Sequence, residues 1–237
     1  MTNTANRLQP SPEQLVAAAR ELVPLIRERA AEGERQRSLS PDIIAAMKDG
    51  GFFRILLPKR FGGYEYDVTT MVRCLLEWST ADASAAWVAG LAIGHQWMIS
   101  LFPPACHEDI WRAGPDTITF GSYAPSGTCE AAEGGYRISG SWAYASGCQH
   151  GDWGLMGVTF PSRDGAGDPA PGFVIVSKDD YTIGGVWDTM GLAATGSLDM
   201  ICEDVFVPEH RTITFAEMAS GNSPGYRALG LPLLRFP

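Results

Sequence analysis

Hydroxyl-bearing side chains lie close to aromatic ones in three short segments of this 237-residue sequence. The segments are Phe-Gly-Ser-Tyr-Ala-Pro-Ser-Gly-Thr at 120–128, Gly-Ser-Trp-Ala-Tyr-Ala-Ser-Gly-Cys at 140–148 and Trp-Asp-Thr-Met-Gly-Leu-Ala-Ala-Thr-Gly-Ser at 187–197. Glycine lets the backbone approach a ligand closely, hydroxyl groups donate and accept hydrogen bonds, and an indole can stack on another planar ring. Residues of these types suit a site for a planar, polar ligand.

Each segment also has a purely structural interpretation. In the second segment, Trp142 could stack on a planar ring and Ser146 could hydrogen-bond a ring nitrogen, or the two could be a core tryptophan and a capping serine. In the other segments, Ser122 and Thr195 offer further hydroxyl groups, or belong to an ordinary loop and a tight connection between strands. The residues alone leave these alternatives open.

His95 is the fourth candidate, because it lies in an otherwise apolar stretch of helical character. A lone histidine in a helix is commonly a core residue with satisfied hydrogen bonds. Its titration range also suits general acid–base work, or activation of a phenol-like substrate. The sequence alone is compatible with both interpretations of His95.

Other classes of site are disfavoured. We expect no serine-hydrolase elbow, no metal site of the H-E-x-x-H or paired Cys/His type, and no G-x-G-x-x-G nucleotide loop. The 18 basic and 27 acidic residues give a formal charge of −9 without a basic stripe, which disfavours nucleic acid as a partner. The five cysteines are scattered and no signal peptide is predicted, so we expect reduced thiols in the cytoplasm. The apolar stretch 85–102 predicts a buried helix and not a membrane span.

The chain changes character near residue 115. Before it, helical periodicity follows a start signal, Ser-Pro-Glu-Gln at 11–14. After it, short β-branched and aromatic runs alternate with Gly, Pro and Asp, which favours a small antiparallel sandwich or barrel. We therefore predict an α+β protein with an all-helical domain at 10–115 and a β domain at 116–213. Residues 214–237 are apolar towards their end and are predicted to begin a further helical domain on which they would pack. The predicted strands are 117–122, 136–141, 153–160, 173–177, 181–186 and 200–207.

Three ordered motifs resemble one family. Ile-Leu-Leu-Pro-Lys-Arg-Phe-Gly-Gly at 55–63, Gly-Tyr-Arg-Ile-Ser-Gly-Ser-Trp at 135–142 and Met-Gly-Leu-Ala-Ala-Thr-Gly-Ser at 190–197 occur in sequence, followed by Phe-Val-Pro at 206–208. Together they resemble the acyl-CoA dehydrogenase superfamily over about residues 12–215. The resemblance implies that family's fold without its C-terminal helical bundle.

Two further segments favour one branch of that family. Ala-Ser-Gly-Cys-Gln-His at 145–150 and Trp-Asp-Thr-Met-Gly-Leu at 187–192 resemble two-component flavin monooxygenases, whereas dehydrogenases usually carry Thr-Glu-Pro where this chain has Ser-Tyr-Ala-Pro at 122–125. The resemblance implies an oxygenase component that takes reduced FMN, or FADH2, from a separate reductase. It would oxidise an aromatic or polycyclic small molecule with O2 through a C4a-hydroperoxyflavin, in a homo-oligomer that is a tetramer in the family. The alternatives are an FAD-dependent acyl-CoA dehydrogenase and a truncated, non-catalytic binding protein.

The resemblance also implies residue roles. Ser146 would lie at the flavin N5, Trp142 would pack near the isoalloxazine, and Ser122 would border flavin and substrate. His95 would face the substrate and hold or deprotonate its hydroxyl group. The implied catalytic residues are His95, Ser122 and Ser146, and the implied cofactor-binding residues are Ser122, Ala124, Pro125, Trp142, Ala145, Ser146 and Thr195.

Overall fold

Helices form the first half of the protein. In this computed structural model, which describes residues 9–162 and 168–235, the predicted capping box is present. The Ser11 hydroxyl accepts the Gln14 N–H at 3.2 Å, and the Gln14 side chain accepts the Ser11 N–H at 2.7 Å. Pro24 lies inside this helix without ending it. The helices are α1 (Pro12–Gln36), α2 (Pro41–Asp49), α3 (Val68–Ser79), α4 (Ala83–Ile99) and α5 (Pro104–Trp111).

Helix α4 is the central element of the helical half. The Asp82 side chain caps it by accepting the Ser84 N–H at 2.8 Å. Its sequence is apolar on nearly all sides, and this lets it be buried with α3 on one side and the β domain on another. His95 and Gln96 are fully buried exceptions in its last turns, and buried polar groups of this kind need partners.

Two four-stranded sheets form the second half, in the orders β1-β4-β5-β8 and β2-β3-β7-β6. Among the described residues, every strand pair is antiparallel except β1 with β4. These two are parallel because the chain passes through the other sheet between them. The predicted α+β class, helical domain first and then an antiparallel-rich β domain, is confirmed. The strands are β1 (Thr119–Ser122), β2 (Thr128–Ala132), β3 (Gly135–Ala145), β4 (Trp153–Phe160), β5 (Ala170–Ser177), β6 (Thr182–Gly184), β7 (Leu198–Pro208) and β8 (Thr212–Thr214).

The periodicity missed β2 and β8. Both lie at a sheet edge, β8 has three residues, and most of β2 is exposed. Short edge strands bury too little side-chain surface to show a clear alternation.

The C-terminal segment folds back onto the helical half, and contains α6 (Phe215–Ala219) and α7 (Pro224–Leu229). The Gly225 N–H donates to the Leu101 carbonyl at 3.0 Å, and the Trp97 indole donates to the Leu233 carbonyl at 2.8 Å. Leu234 is 1% exposed. The described residues of this segment therefore pack on residues that precede them. That the segment begins a further helical domain stays a prediction. Residues 236–237 lie outside the described residues.

A Gly225→Ala variant should lower the free energy of unfolding by about 1–3 kcal/mol. A Cβ atom at this position would lie 1.8 Å from the Ser100 carbonyl oxygen, and backbone cannot move aside cheaply. The gain in helix propensity opposes this by only about 1 kcal/mol. Urea unfolding should show the loss, while Gly191→Ala, where nothing lies within 4 Å of the added atom, should stay near the wild-type value.

All five cysteines are free thiols. In the described part of the chain, no helix combines the length and the apolar character that crossing a membrane requires.

Candidate functional site

A row of hydroxyl groups connects two of the three predicted segments. The Ser146 Oγ lies 2.7 Å from the Ser197 Oγ, which lies 2.7 Å from the Thr195 Oγ1. Ser146 follows the end of β3, and the other two precede β7. Strands β3 and β7 are hydrogen-bonded neighbours, with Ala145 opposite Leu198, so the ends of both segments meet at one edge of their sheet. The structure thus brings Ser146 and Thr195 together.

Two exposed aromatic residues border this row. Trp87 of α4 is 51% exposed, and its indole donates to the Ser146 Oγ at 3.1 Å. Tyr144 is 74% exposed, and its ring packs edge-on against Trp187 with 6.2 Å between ring centroids. Its φ of 65° lies in the left-handed region, which is costly for a tyrosine and typical of functional positions. The candidate site therefore lies where α4 meets the edge of the β domain.

Trp142 is placed differently from the prediction. Its side chain is fully buried, and its indole donates to the Gly157 carbonyl at 2.6 Å. A side chain with no exposed surface cannot stack on a ligand, so the structure favours the alternative of a core tryptophan. Ala145 is also fully buried. Tyr144, between them in sequence, is the exposed aromatic residue of this strand, and no sequence pattern distinguished it from Trp142.

Ser122 lies on the same face of β1 as Phe120, since side chains two residues apart share a face. The Phe120 ring is so close to Gly147 that a Cβ there would lie 2.6 Å from it. The first segment therefore adjoins the turn that follows Ser146. Ser122 is buried, whereas Ala124 and Pro125 are exposed in the loop that follows.

His95 makes two hydrogen bonds. Its Nδ1 lies 2.6 Å from the Thr119 carbonyl oxygen, and its Nε2 lies 2.8 Å from the Tyr123 hydroxyl. A carbonyl oxygen only accepts, so Nδ1 carries the hydrogen and Nε2 is the acceptor. The Tyr123 hydroxyl also lies 3.2 Å from the Met98 Sδ. It has one hydrogen to give, and the nearer imidazole nitrogen is the stronger acceptor.

Burial keeps both of these groups neutral. Desolvation lowers the pKa of His95 to about 4, against the smaller opposing effect of the Thr119 hydrogen bond, and raises the pKa of Tyr123 to about 12. His95 is 1% exposed and Tyr123 is 45% exposed. A ligand that approaches from solvent therefore meets Tyr123 first, with His95 behind it. Sequence patterns point to His95 and not to Tyr123, although the tyrosine lies inside the first segment.

Stability should fall as the pH drops from about 6.5 to about 4. Burial removes water from His95 and His107. This desolvation is the main reason why the pKa of each is lowered to about 4, from 6.5 in the unfolded chain. The unfolded chain therefore takes up protons first, and each histidine costs about 3 kcal/mol at the acid end of this window. Urea unfolding at several pH values measures the slope, and His107→Gln should reduce the loss of stability over this window by about 3 kcal/mol. An unchanged slope in that variant would contradict the assignment.

The described residues do not support two other kinds of site. Among the described residues, no group of three or more His, Cys, Asp or Glu could hold a metal ion. Gly-Asn-Ser-Pro-Gly at 221–225 does match the G-x-S-x-G spacing, contrary to the expectation above. Ser223 is fully buried, however, and its hydroxyl accepts the Tyr226 N–H at 3.2 Å as a helix cap. It precedes α7 without a strand before it, so it is a capping residue and not a nucleophile elbow.

The sequence and fold of this chain are similar to those of known proteins. The family model for the acyl-CoA dehydrogenase N-terminal domain matches residues 10–103 of the sequence. The chain is 41% identical over 214 residues to the oxygenase component of an FADH(2)-dependent resorcinol hydroxylase from Rhizobium sp. (strain MTP-10005), covering 90% of this chain and 52% of the relative. It superposes on the crystal structure of the HsaA monooxygenase from M. tuberculosis with a TM-score of 0.91 and 32% identity, covering 96% of this chain and 62% of that one.

The chain belongs to the acyl-CoA dehydrogenase superfamily. The structure of XiaF from Streptomyces sp. in complex with FADH2 and glycerol also matches, with a TM-score of 0.85 and 31% identity, covering 94% of this chain and 56% of that one. The present chain spans about half the length of the curated relatives it matches.

The residues of this superfamily chain fit one face of a flavin. An isoalloxazine ring needs flat aromatic or apolar neighbours and a few fixed polar groups. Trp87 is an exposed aromatic ring beside Ser146, whose hydroxyl is held by partners on two sides. Tyr144, which is also exposed, lies two residues before Ser146 and packs against Trp187. Gly147, with a φ of 77°, gives the sharp turn that directly follows this hydroxyl.

Proposed function

We propose that this chain is the flavin- and substrate-binding portion of the oxygenase component of a two-component, flavin-dependent monooxygenase. The observation that carries the proposal is the Ser146 hydroxyl, fixed by Trp87 and Ser197 next to exposed aromatic surface at the junction of α4 and β3. The relatives' names, resorcinol hydroxylase oxygenase component and flavin-dependent monooxygenase oxygenase subunit, support the reaction class. A separate reductase and a homo-oligomeric state remain part of the proposal.

The proposed division of labour follows from the positions of the side chains. Reduced flavin, when bound, supplies the electrons with which O2 is activated. Ser146 would bind the flavin N5, and Trp87 and Tyr144 would flank its ring and exclude water from it. Ser122 and the Ala124–Pro125 loop would border the flavin and the substrate, and Thr195 would act through the hydroxyl row.

We propose a hydroxylated aromatic compound as the substrate. Tyr123 and His95 form a pair of neutral hydrogen-bonding groups in an apolar setting, with Phe173 against the tyrosine at 5.3 Å between ring centroids. A phenol matches both features, because its ring needs apolar contact and its hydroxyl needs a partner. With a pKa of about 4, His95 is an unprotonated acceptor at neutral pH. It would hold a phenol through Tyr123, whose hydroxyl donates to Nε2 and can accept the phenol hydrogen.

The test is equilibrium binding of FMN and FAD to the purified protein, each in oxidised form and in reduced form under anaerobic conditions. The proposal expects saturable binding of at least one reduced flavin, with protection of the Trp87 and Tyr144 side chains from solvent. Absence of binding in every form would refute the proposed function.

A further inference from the structure

The hydroxyl row has a direction. Four consecutive contacts join the Trp87 indole to the Leu192 carbonyl: Trp87 to Ser146 at 3.1 Å, Ser146 to Ser197 at 2.7 Å, Ser197 to Thr195 at 2.7 Å, and Thr195 to the Leu192 oxygen at 2.9 Å. The Leu192 oxygen also accepts the Thr195 backbone N–H at 3.1 Å and the Trp187 indole at 3.2 Å, which hold it in place.

Counting hydrogens fixes that direction. The indole and the three hydroxyl groups have one hydrogen each, and the carbonyl has none. Four hydrogens thus serve four contacts, and one arrangement fills them all: each group donates to its neighbour on the Leu192 side. Turning any hydroxyl round leaves two lone pairs facing each other, which is costly because Ser146, Ser197 and Thr195 are only 6%, 5% and 2% exposed.

This arrangement determines what Ser146 offers to a ligand. Its hydrogen is committed to Ser197, and one of its lone pairs receives the Trp87 hydrogen. The group that remains is a second lone pair, so Ser146 presents an acceptor and no donor.

The two redox states of a flavin differ at N5, the atom that Ser146 would bind. N5 of an oxidised flavin has a lone pair and no hydrogen, whereas N5 of a reduced flavin carries a hydrogen. We propose that Ser197 and Thr195 are positioning residues that hold the Ser146 hydroxyl as an acceptor, so that the site favours reduced over oxidised flavin. This inference rests on the proposed function, and adds to it the residues that select the redox state.

The experiment measures the dissociation constants of oxidised FMN and of anaerobically reduced FMN for the protein and for a Ser197→Ala variant. Without Ser197, the Ser146 hydroxyl is free to rotate and donate to N5 of oxidised FMN. The preference for reduced FMN should fall about tenfold, the worth of one hydrogen bond. The midpoint potential of bound FMN should drop by about 30 mV, which is the same tenfold factor for a two-electron couple.

Two variants serve as controls. Thr195→Ser keeps the hydroxyl group and should keep the wild-type preference. Ser141→Ala removes a hydroxyl from the same strand as Tyr144, where it donates to the Asp199 carboxylate at 3.2 Å on the exposed surface. It should change neither dissociation constant.

The outcomes separate the inference from the proposed function. If both forms of FMN bind but Ser197→Ala leaves their ratio unchanged, or weakens both equally, Ser197 has only a structural role and the inference fails alone. If the unaltered protein binds neither FMN nor FAD in either redox form, the proposed function fails and takes the inference with it. If it binds FAD and not FMN, the same ratio of dissociation constants is measured with FAD.

Discussion

A His95→Gln variant should oxidise a phenolic substrate about 100-fold more slowly than the wild-type protein while binding reduced flavin nearly as well. The imidazole Nε2 accepts the Tyr123 hydroxyl at 2.8 Å because the Thr119 carbonyl holds the hydrogen on Nδ1. A glutamine retains polarity but cannot reproduce this pair of oppositely directed bonds. Losses of this size are typical when a group that holds or moves a proton is removed.

The measurement combines the turnover rate on resorcinol, as a phenol probe, with the dissociation constant of reduced FMN. Tyr123→Phe provides the matched variant, since it removes only the hydroxyl that bonds His95. If the two residues act as a unit, the double variant should be little slower than either single variant. Equal losses of turnover and of flavin affinity in His95→Gln would instead make this histidine a structural residue.

A Ser146→Ala variant should weaken binding of reduced FMN about tenfold, because the N5 hydrogen loses its acceptor and the Trp87 indole loses its partner. It should also release more of the consumed O2 as hydrogen peroxide, since a flavin that is poorly held reacts with O2 without oxidising the substrate. The ratio of peroxide to hydroxylated product measures this uncoupling.

Ser141→Ala again gives the control, and it should keep both the affinity and the product ratio of the wild-type protein. Ser197→Ala offers a sharper contrast, because it alters mainly the choice between oxidised and reduced FMN. A Ser146→Ala protein with unchanged affinity and unchanged coupling would remove this serine from the flavin site.

The sequence by itself determined the class of fold and the family. The capping box at Ser11, the helical periodicity before residue 115 and the short strand-like runs after it are local features, and local features depend on neighbouring residues alone. The motif at 55–63 and the segment at 145–150 indicated the family in the same way, because a motif is recognised from the order of consecutive residues alone.

Only the tertiary structure decided which side chains form the site. Trp142 and Tyr144 are two residues apart on one strand, yet the first is buried against Gly157 and the second is exposed at a positive φ. Tyr123 meets His95 from 28 residues away, and Ser197 meets Ser146 from 51 residues away. Such meetings depend on how strands pair and how helices pack over long stretches of chain, and no spacing within a single segment records them.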